Sequence, residues 1–243
     1  MKSNMMRKIL IKKGTDLFYK EGFARSSIRD IGRTAGISSS TLYHYFKDKD
    51  ELLFEMITLI GDHLLKLLND TIQEFTDPEE RLKQMVFRQI CVLKEKKKEV
   101  KIYVEEQYQL PPRLRREAHL QQRKIYDTYL HQLELLQKAG RLRTSHLPTI
   151  NFTIFATINW VYRWFRENGP LTIEELAEMI ITILFNGILV PLPKSDAEVN
   201  PVRNSSRAFN PARIILKSNP TAKQRSIISN GVKGKGRAQK GSN

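Results

Sequence analysis

Seven consecutive residues, 38–44, concentrate side chains that could bond to nucleic acid. Their sequence, SSSTLYH, carries five hydroxyl groups and one imidazole, and it contains no acidic residue. Hydroxyls can hydrogen-bond to phosphates or base edges, and the methyl group of a threonine can contact thymine. If the segment is helical, Leu42 turns inward and leaves the polar side chains outside. The pattern therefore predicts a helix that reads a DNA groove.

We expect residues around this segment to divide between two tasks on DNA. Tyr43 and Lys49 are predicted to position the protein on phosphates, whereas Ser39, Thr41 and His44 are predicted to lie nearest the bases. The alternative is a small helical hairpin that binds nothing. The full set of predicted DNA-binding residues is Ser26, Ser27, Arg29, Ser38, Ser39, Ser40, Thr41, Tyr43, His44 and Lys49.

The spacing over residues 27–46 predicts two short helices joined by a tight turn. Ser27 and Asp30 have the spacing of an N-cap and its acidic partner. Gly36 supplies the left-handed backbone that a sharp corner between helices needs. Ser38 is a second N-cap, at the start of the reading helix. This is the arrangement of a helix-turn-helix motif, in which the second helix enters the major groove.

Helical patterns continue on both sides of this motif. Residues 3–20 form a predicted first helix, which Gly22 ends. Asp48 and Glu51 are spaced as a capping box for a fourth helix that continues to about residue 75. Its N-terminal amides, together with Lys49, form a predicted phosphate site. A long fourth helix would connect this head mechanically to the rest of the chain.

These residues resemble the DNA-binding domain of the TetR/AcrR family of transcriptional repressors. The resemblance covers residues 9–53 and includes LFYKEGF and SIRDIGRTAGISSSTLYHYFKDKDELL. It implies a homodimer in which a ligand bound in the body changes the separation of the two heads, with the fourth helix transmitting the change. The matching positions are Leu17, Phe18, Gly22, Phe23, Ile28, Ile31, Ala35, Gly36, Leu42, Tyr43, Tyr45, Phe46, Lys49 and Leu52.

Charge is distributed unevenly along the 243 residues, whose net charge is +15. Residues 1–50 hold 11 Lys and Arg against 5 Asp and Glu, residues 51–193 hold 19 of each, and residues 194–243 hold 11 against 2. The basic charge therefore belongs to the head and to a tail, as expected for a protein that binds a polyanion. The tail is rich in Ser, Asn and Gly and has one aromatic residue, which predicts disorder. It could add non-specific DNA affinity or be dispensable.

The remaining helical patterns predict a six-helix body and an all-α fold. We assign residues 1–47 to the helix-turn-helix domain, 48–193 to a regulatory domain that binds ligand and dimerises, and 194–243 to the disordered basic tail. After the fourth helix, helical patterns begin near residues 77, 100, 113, 148 and 172. The lysine-rich run 94–98 is predicted to end the helix that begins near residue 77 and to complement its C-terminus; a site for a polyanion is the alternative.

Two apolar helices between residues 148 and 190 carry more apolar surface than one small subunit can cover. The first is apolar nearly all round, and the second repeats apolar residues at helical spacing. We therefore predict a homodimer interface in this region. Its predicted residues are Trp160, Trp164, Leu176, Ile180, Ile183, Leu184 and Gly187.

The body also offers aromatic and amide side chains on helices that should face one another. An apolar cavity with a few polar groups is the usual form of a small-molecule site. Asn159 lies in the most apolar helix, where an unpaired amide costs about 1–3 kcal/mol, so it needs a partner. The alternative is that these residues simply pack the core. The predicted effector-binding residues are Phe87, Tyr103, Gln107, Tyr126, Tyr129, Phe155 and Asn159.

The segment NWVYRWFRENGPLTIEELAEMI resembles the C-terminal region of TetR-like regulators of fatty-acid and steroid degradation, which respond to acyl-CoA thioesters. The resemblance implies a small hydrophobic effector, and a long-chain or cyclic acyl-CoA in particular. The acyl chain would fill the cavity. The basic residues between 113 and 124, at the start of the predicted helix 113–139, could form ion pairs with the CoA phosphates. A hydrophobic drug or another lipid is the alternative effector.

The sequence gives no reason to expect catalysis, a cofactor or a metal. Gly-rich phosphate loops, nucleophile elbows and histidine or cysteine pairs at metal spacing are absent from it. Its single cysteine, Cys91, fits a reducing compartment and a place in the core. The most apolar run is too short to cross a bilayer, so we expect a cytoplasmic protein. The remaining alternative is a non-catalytic helical protein that coats nucleic acid or acts as an adaptor, without sequence choice.

Overall fold

Every described element of the structure, a computed structural model, is helical. The structure describes residues 2–143 and 146–186. Within them it has nine α-helices, one 3₁₀ turn and no strand. The predicted all-α class is therefore confirmed, whereas Gly187 and the predicted tail 194–243 lie outside the described residues.

Three helices form the head. They are α1 (Lys2–Glu21), α2 (Ile28–Ala35) and α3 (Ser39–Tyr43). They enclose a small core that includes Phe18, Phe23, Ile31, Leu42 and Phe46, each 5% exposed or less. The two phenylalanines of the α1–α2 region meet edge to face, with ring centroids 5.2 Å apart. This core fixes the angle between α2 and α3.

The long helix α4 (Lys49–Glu74) packs against both the head and the body. Asp48 caps it through a hydrogen bond from the Glu51 amide, as the sequence predicts. Its first turns bury Leu52 and Met56 near α1, and its later turns bury Leu64 and Leu68. One continuous helix therefore shares its apolar face between the two parts.

The body contains five further helices and the 3₁₀ turn. They are α5 (Pro78–Cys91), α6 (Leu93–Glu105), the turn Gln107–Gln109, α7 (Pro112–Lys138), α8 (Leu147–Trp164) and α9 (Ile173–Asn186). Asp77 and Pro78 start α5 as predicted. In the contacts between elements, α7 packs on α4, α5 and α8, and α9 packs on α5.

The prediction that the lysine run 94–98 ends the helix before it is wrong. The preceding helix ends at Cys91, and the lysines form the first turns of α6. Tertiary acceptors explain the difference: Lys94 binds Glu174 at 2.7 Å, Lys97 donates to the Phe165 carbonyl at 2.8 Å, and Lys98 pairs with Asp16. The lysines therefore tie α6 to its neighbours instead of complementing a helix C-terminus.

Candidate nucleic-acid interface and ligand cavity

The turn between α2 and α3 has the geometry that the sequence predicts. Ser27 and Asp30 form a reciprocal capping box at the start of α2. Hydrogen bonds from Ser27 lower the pKa of the Asp30 carboxyl. At the other end, Gly36 has φ 71° and ψ 27°, and its N–H points back to the carbonyls of Gly32 and Arg33. A left-handed residue at this position lets α3 leave α2 at a sharp angle.

The reading helix α3 presents a connected group of hydroxyls. Ser38 caps the helix by accepting a hydrogen bond from the Thr41 amide at 3.1 Å. The same oxygen lies 2.8 Å from the Ser40 and Thr41 hydroxyls. Leu42 is fully buried, whereas Tyr43 is 53% exposed and His44 is also exposed. Ser38 and Ser40 are exposed as well, whereas Ser39 and Thr41 are partly buried. The inward position of Leu42 is as predicted, and the DNA contacts themselves stay predictions.

The residues predicted to grip phosphates near α2 have mixed surroundings. Arg29 is exposed, and the Ser27 hydroxyl donates to Asp30. Ser26 is 4% exposed and its hydroxyl donates to the Gly22 carbonyl at 2.8 Å. The DNA contact predicted for the Ser26 side chain is therefore contradicted, because that hydroxyl is used inside the α1–α2 loop.

Lys49 has partners that the sequence did not suggest. Its ammonium donates to the carbonyls of Phe23 and Ser26 at 2.9 and 3.0 Å. It also lies 4.1 Å from the centroid of the Phe23 ring, within the range of a cation–π contact. These partners are 26 and 23 residues earlier in the chain, so sequence spacing could not show them. The structure adds a positioning role to the predicted phosphate contact.

A cavity of about 330 Å³ lies between the helices of the body. Five of the seven predicted effector residues line it, and none of the lining side chains is charged. The lining residues are Leu64, Gln89, Tyr103, Val104, Gln107, Tyr108, Gln122, Ile125, Tyr126, Phe152, Phe155 and Asn159.

Phe87 and Tyr129 are the two predicted effector residues that do not line this cavity. Tyr129 is completely buried, and its hydroxyl donates to the Gln89 side chain at 3.0 Å. Burial raises the pKa of Tyr129. Phe87 lies half-buried on α5. Both are packing residues in this structure, and Tyr129 orients one of the amides that line the cavity.

Two glutamines of the cavity were missed from the sequence. Gln89 is buried on α5, between the core residues Val86 and Ile90. Gln122 on α7 donates to the Gln107 side chain, with 2.5 Å between nitrogen and oxygen. Burial raises the pKa of Tyr103, and a hydrogen bond with Gln122 partly offsets that shift. The available signal was a polar amide in the inward register of an otherwise apolar helix.

Asn159 and the aromatic residues complete the cavity wall. The Tyr126 ring lies 5.3 Å from Phe152 and 6.1 Å from Phe155. Arg123 covers the Tyr126 ring at 5.2 Å. The Asn159 amide makes no hydrogen bond within the described part of the chain. It is therefore free to pair with a polar group of a ligand.

The predicted dimer residues divide into two groups. Trp160, Trp164 and Ile183 are 53%, 49% and 50% exposed. By contrast, Leu176 and Ile180 are each only 7% exposed, because they lie on the buried side of α9, which packs against α5. Their place in the predicted interface is a correction: they belong to the subunit core. Leu184 is half-buried, and Gly187 lies outside the described residues.

The described residues offer little for other kinds of chemistry. They contain no group of three or more histidine, cysteine, aspartate or glutamate side chains that could hold a metal ion. No helix within 2–143 or 146–186 has the length and hydropathy of a membrane span. Burial raises the pKa of the Cys91 thiol to about 11, so the thiol stays protonated at neutral pH.

A hydroxyl-bearing helix-turn-helix on an all-α body with a neutral cavity defines a DNA-binding regulator. Two family models match the chain: "Bacterial regulatory proteins, tetR family" over residues 10–56, and "Tetracyclin repressor-like, C-terminal domain" over residues 76–188. The chain belongs to the TetR family of bacterial regulators. This confirms the interpretation made from the sequence over that of a nucleic-acid-coating or adaptor protein.

Individual relatives agree with this assignment. The HTH-type transcriptional repressor KstR2 of Mycobacterium tuberculosis strain H37Rv is 28% identical over 191 residues, which cover 76% of this chain and 94% of KstR2. The KstR2 structure has a TM-score of 0.69 at 24% identity, with 76% and 95% of the two chains covered. AibR in complex with isovaleryl coenzyme A and operator DNA has a TM-score of 0.70 at 23% identity, with 74% and 98% covered.

Proposed function

We propose that the protein is a homodimeric, sequence-specific repressor that a small hydrophobic effector releases from a palindromic operator. The observation that carries the proposal is that two helices, α4 and α6, contact the DNA-binding head and also line the uncharged cavity. A ligand that binds better to the form unable to grip DNA would shift the population away from the operator. We infer a non-catalytic, cytoplasmic protein that needs no cofactor.

Exposed apolar side chains on α8 and α9 support a dimer. Trp160 and Trp164 are four residues apart on α8, Met179 and Ile183 are four residues apart on α9, and each is about half exposed in the single chain. Large apolar side chains left exposed on one side of a helix are typical of a protein interface. A two-fold dimer would present two copies of α3, and operators read by helix-turn-helix dimers mirror that symmetry.

The cavity supports an acyl group as the part of the effector that is buried. Its volume of about 330 Å³ is at the lower end of ligand pockets, and it equals about eleven water molecules at ~30 Å³ each. Such a space suits an acyl chain of medium length or a small ring system. The amides of Gln107, Gln122 and Asn159 could bond to a thioester or ketone oxygen.

The charged part of an acyl-CoA would have to stay outside this uncharged lining, since burying unpaired phosphates is costly. Arg116, Arg123 and Lys124 are exposed on the first half of α7, which also supplies Gln122 and Tyr126 to the cavity. They are the candidate partners of the CoA phosphates. AibR, which shares the fold, was crystallised with isovaleryl coenzyme A and operator DNA.

A DNA-release titration tests the proposal. The protein is bound to DNA from its own upstream region in excess non-specific DNA, and decanoyl-CoA, isovaleryl-CoA, decanoic acid and cationic dyes are added separately. We expect binding to survive the competitor and an acyl-CoA to release it, while decanoic acid does not. Loss of binding in competitor DNA would overturn sequence-specific recognition. Release by dyes alone would replace the acyl-CoA assignment with a xenobiotic sensor.

A further inference from the structure

The loop that joins α1 to α2, residues 22–26, forms hydrogen bonds with two residues outside the α1–α2 region. Lys49 of α4 donates to the carbonyls of Phe23 and Ser26. The carboxylate of Glu106, which follows α6, accepts a hydrogen bond from the Phe23 N–H at 3.3 Å. The loop leads directly into Ser27, the N-cap of the reading motif. Its conformation therefore sets the position of α2 and α3.

Helix α6, which ends at Glu105 directly before Glu106, also packs against α1 of the head. Lys98 of α6 forms an ion pair with Asp16 of α1. Lys101 donates to the Tyr19 carbonyl at 3.3 Å, and its ammonium lies 4.8 Å from the centroid of the Tyr19 ring. The second half of α6 and the residue that follows it, from residue 98 to residue 106, thus contact α1 and the loop after it.

The same helix and the turn after it form part of the cavity wall. Tyr103 and Val104 of α6 line the cavity, as does Gln107, the residue directly after Glu106. The Gln107 side chain accepts a hydrogen bond from Gln122 across the cavity. A ligand carbonyl or amide that pairs with Gln122 competes with this bond. The two contacts, Gln107 with Gln122 and Glu106 with Phe23, are therefore made by neighbouring residues of one short turn.

We propose that Glu106 is a positioning residue through which the state of the cavity controls the loop 22–26 and hence the reading helix. The inference rests on the proposed function, since an effector is the species that separates Gln107 from Gln122. In the empty protein both hydrogen bonds form and the head has the orientation that binds DNA. When the effector pairs with Gln122, the turn 107–109 shifts and the Glu106 carboxylate leaves the Phe23 N–H. The hydrogen bond from the Phe23 N–H to Glu106 therefore has two states, formed in the empty protein and broken in the effector-bound protein.

Hydrogen exchange in the full-length protein measures the bond directly, without an effector. We expect Gln122→Ala, which removes the donor to Gln107, to speed amide exchange over residues 22–26. In a Glu106→Ala background the same change should add nothing, because the bond is already absent. Non-additivity of this kind is the mark of coupled residues. Equal acceleration by Gln122→Ala in both backgrounds would overturn the proposal.

Two further variants separate positioning from general damage. Glu106→Gln keeps an oxygen that can accept the Phe23 N–H, so its exchange and operator affinity should stay within about twofold of wild type. Glu99→Ala removes a carboxylate from α6 that forms no hydrogen bond or ion pair with the described head. It should leave the Gln122→Ala effect intact. If Glu106→Gln behaves like Glu106→Ala, or Glu99→Ala abolishes the coupling, the assignment to the Glu106 hydrogen bond fails.

A second experiment uses decanoyl-CoA as the effector. It measures separately the binding of decanoyl-CoA to the protein and the release of the protein from operator DNA. Isothermal titration calorimetry measures binding of decanoyl-CoA to the protein alone, in the absence of DNA. Glu106→Ala should bind decanoyl-CoA as wild type does. Its ratio of operator affinities without and with decanoyl-CoA should fall by about fivefold or more, on the scale of known allosteric couplings. No binding to wild type would count against the proposed effector class, whereas binding with an unchanged ratio in Glu106→Ala would overturn the link.

Discussion

The helix-turn-helix motif and the uncharged cavity of the body pair their polar groups in opposite ways. In the motif, polar groups are paired with residues three positions away, as Ser27 is with Asp30 and Ser38 with Thr41. In the cavity, the pairing partners lie on different helices: Gln107 with Gln122, and Gln89 with Tyr129. A surface that must match DNA gains from local, rigid pairing, because its geometry then changes little. A cavity that must respond to a ligand gains from pairs that a ligand can replace.

The largest expected effect follows from breaking the dimer that presents two motifs to one operator. Met179→Glu combined with Ile183→Glu places charges on two side chains that are each about half exposed, so the subunit should stay folded. Sedimentation should show a monomer, and operator affinity should fall by about 100-fold or more because the two heads no longer bind together. Leu120→Glu, which changes an exposed residue of α7, is the matched control. A dimer of the double variant would contradict the assignment of this surface.

Base reading by α3 gives the next largest effect. Thr41→Ala and His44→Ala should each relax base preference, by about 1–3 kcal/mol per contact. Tyr43→Ala should instead weaken binding to all sequences alike, as expected for loss of a phosphate contact. Thr34→Ala on α2 is the control, since that hydroxyl donates to the Asp30 carbonyl. Unchanged affinity and preference in the His44 variant would remove it from the set of base-reading residues.

Replacing one glycine in the motif and one in the body should destabilise the protein for different reasons. A Cβ at Gly36 would meet no atom within 4 Å, so Gly36→Ala should act only through its left-handed backbone. At Gly61 on α4, a Cβ would lie 2.0 Å from the Gln121 side-chain oxygen of α7. Gly36→Ala should lower the free energy of unfolding by about 1–2 kcal/mol through strain. Gly61→Ala should lower it by less, because the Gln121 amide can move at the cost of its bonds to Thr58 and Asp62, and because alanine is favoured over glycine in a helix by up to about 1 kcal/mol. Adding Gln121→Ala should restore part of the stability of Gly61→Ala and none of that of Gly36→Ala, as denaturant unfolding would reveal.

The Lys49→Ala variant tests whether Lys49 contacts DNA or only other residues of the head. We expect it to have the smallest effect of these variants. A phosphate contact predicts that Lys49→Ala lowers the slope of log affinity against log salt by about 1. The observed bonds to the Phe23 and Ser26 carbonyls favour a loss of about 1 kcal/mol in stability with little change in that slope. Parallel salt titrations and thermal unfolding of the one variant measure both quantities.

What could be predicted from the sequence follows the same division. The caps and turn of the reading motif depend on residues three or four apart, so Ser27, Gly36 and Ser38 identified it correctly. The surroundings of Lys49 and Ser26 depend on the α1–α2 loop, and no local pattern shows which carbonyls will face a given lysine. The caps and the turn of the motif could therefore be predicted from the sequence, whereas the contacts of Ser26 and Lys49 with the α1–α2 loop could not.

The body shows why helical periodicity alone is insufficient. Periodicity identified α9 as apolar, but that helix has two apolar sides: Leu176 and Ile180 face α5, whereas Met179 and Ile183 are exposed. Similarly, Tyr126 and Tyr129 share the inner side of α7, yet only Tyr126 reaches the cavity. Spacing shows that a residue is inward, and the packing of neighbouring helices decides whether it meets a cavity, a core or a partner.

The most direct test of the account is fluorescence anisotropy of labelled operator DNA during titration with decanoyl-CoA, comparing wild type with Asn159→Phe. The substituted ring would occupy space beside Phe155 and remove an amide that has no partner in the described structure. Wild type should be released, whereas the variant should bind operator with unchanged affinity and need at least about tenfold more decanoyl-CoA for release. Release of both proteins at the same concentration, or of neither, would contradict the claim that this cavity controls DNA binding.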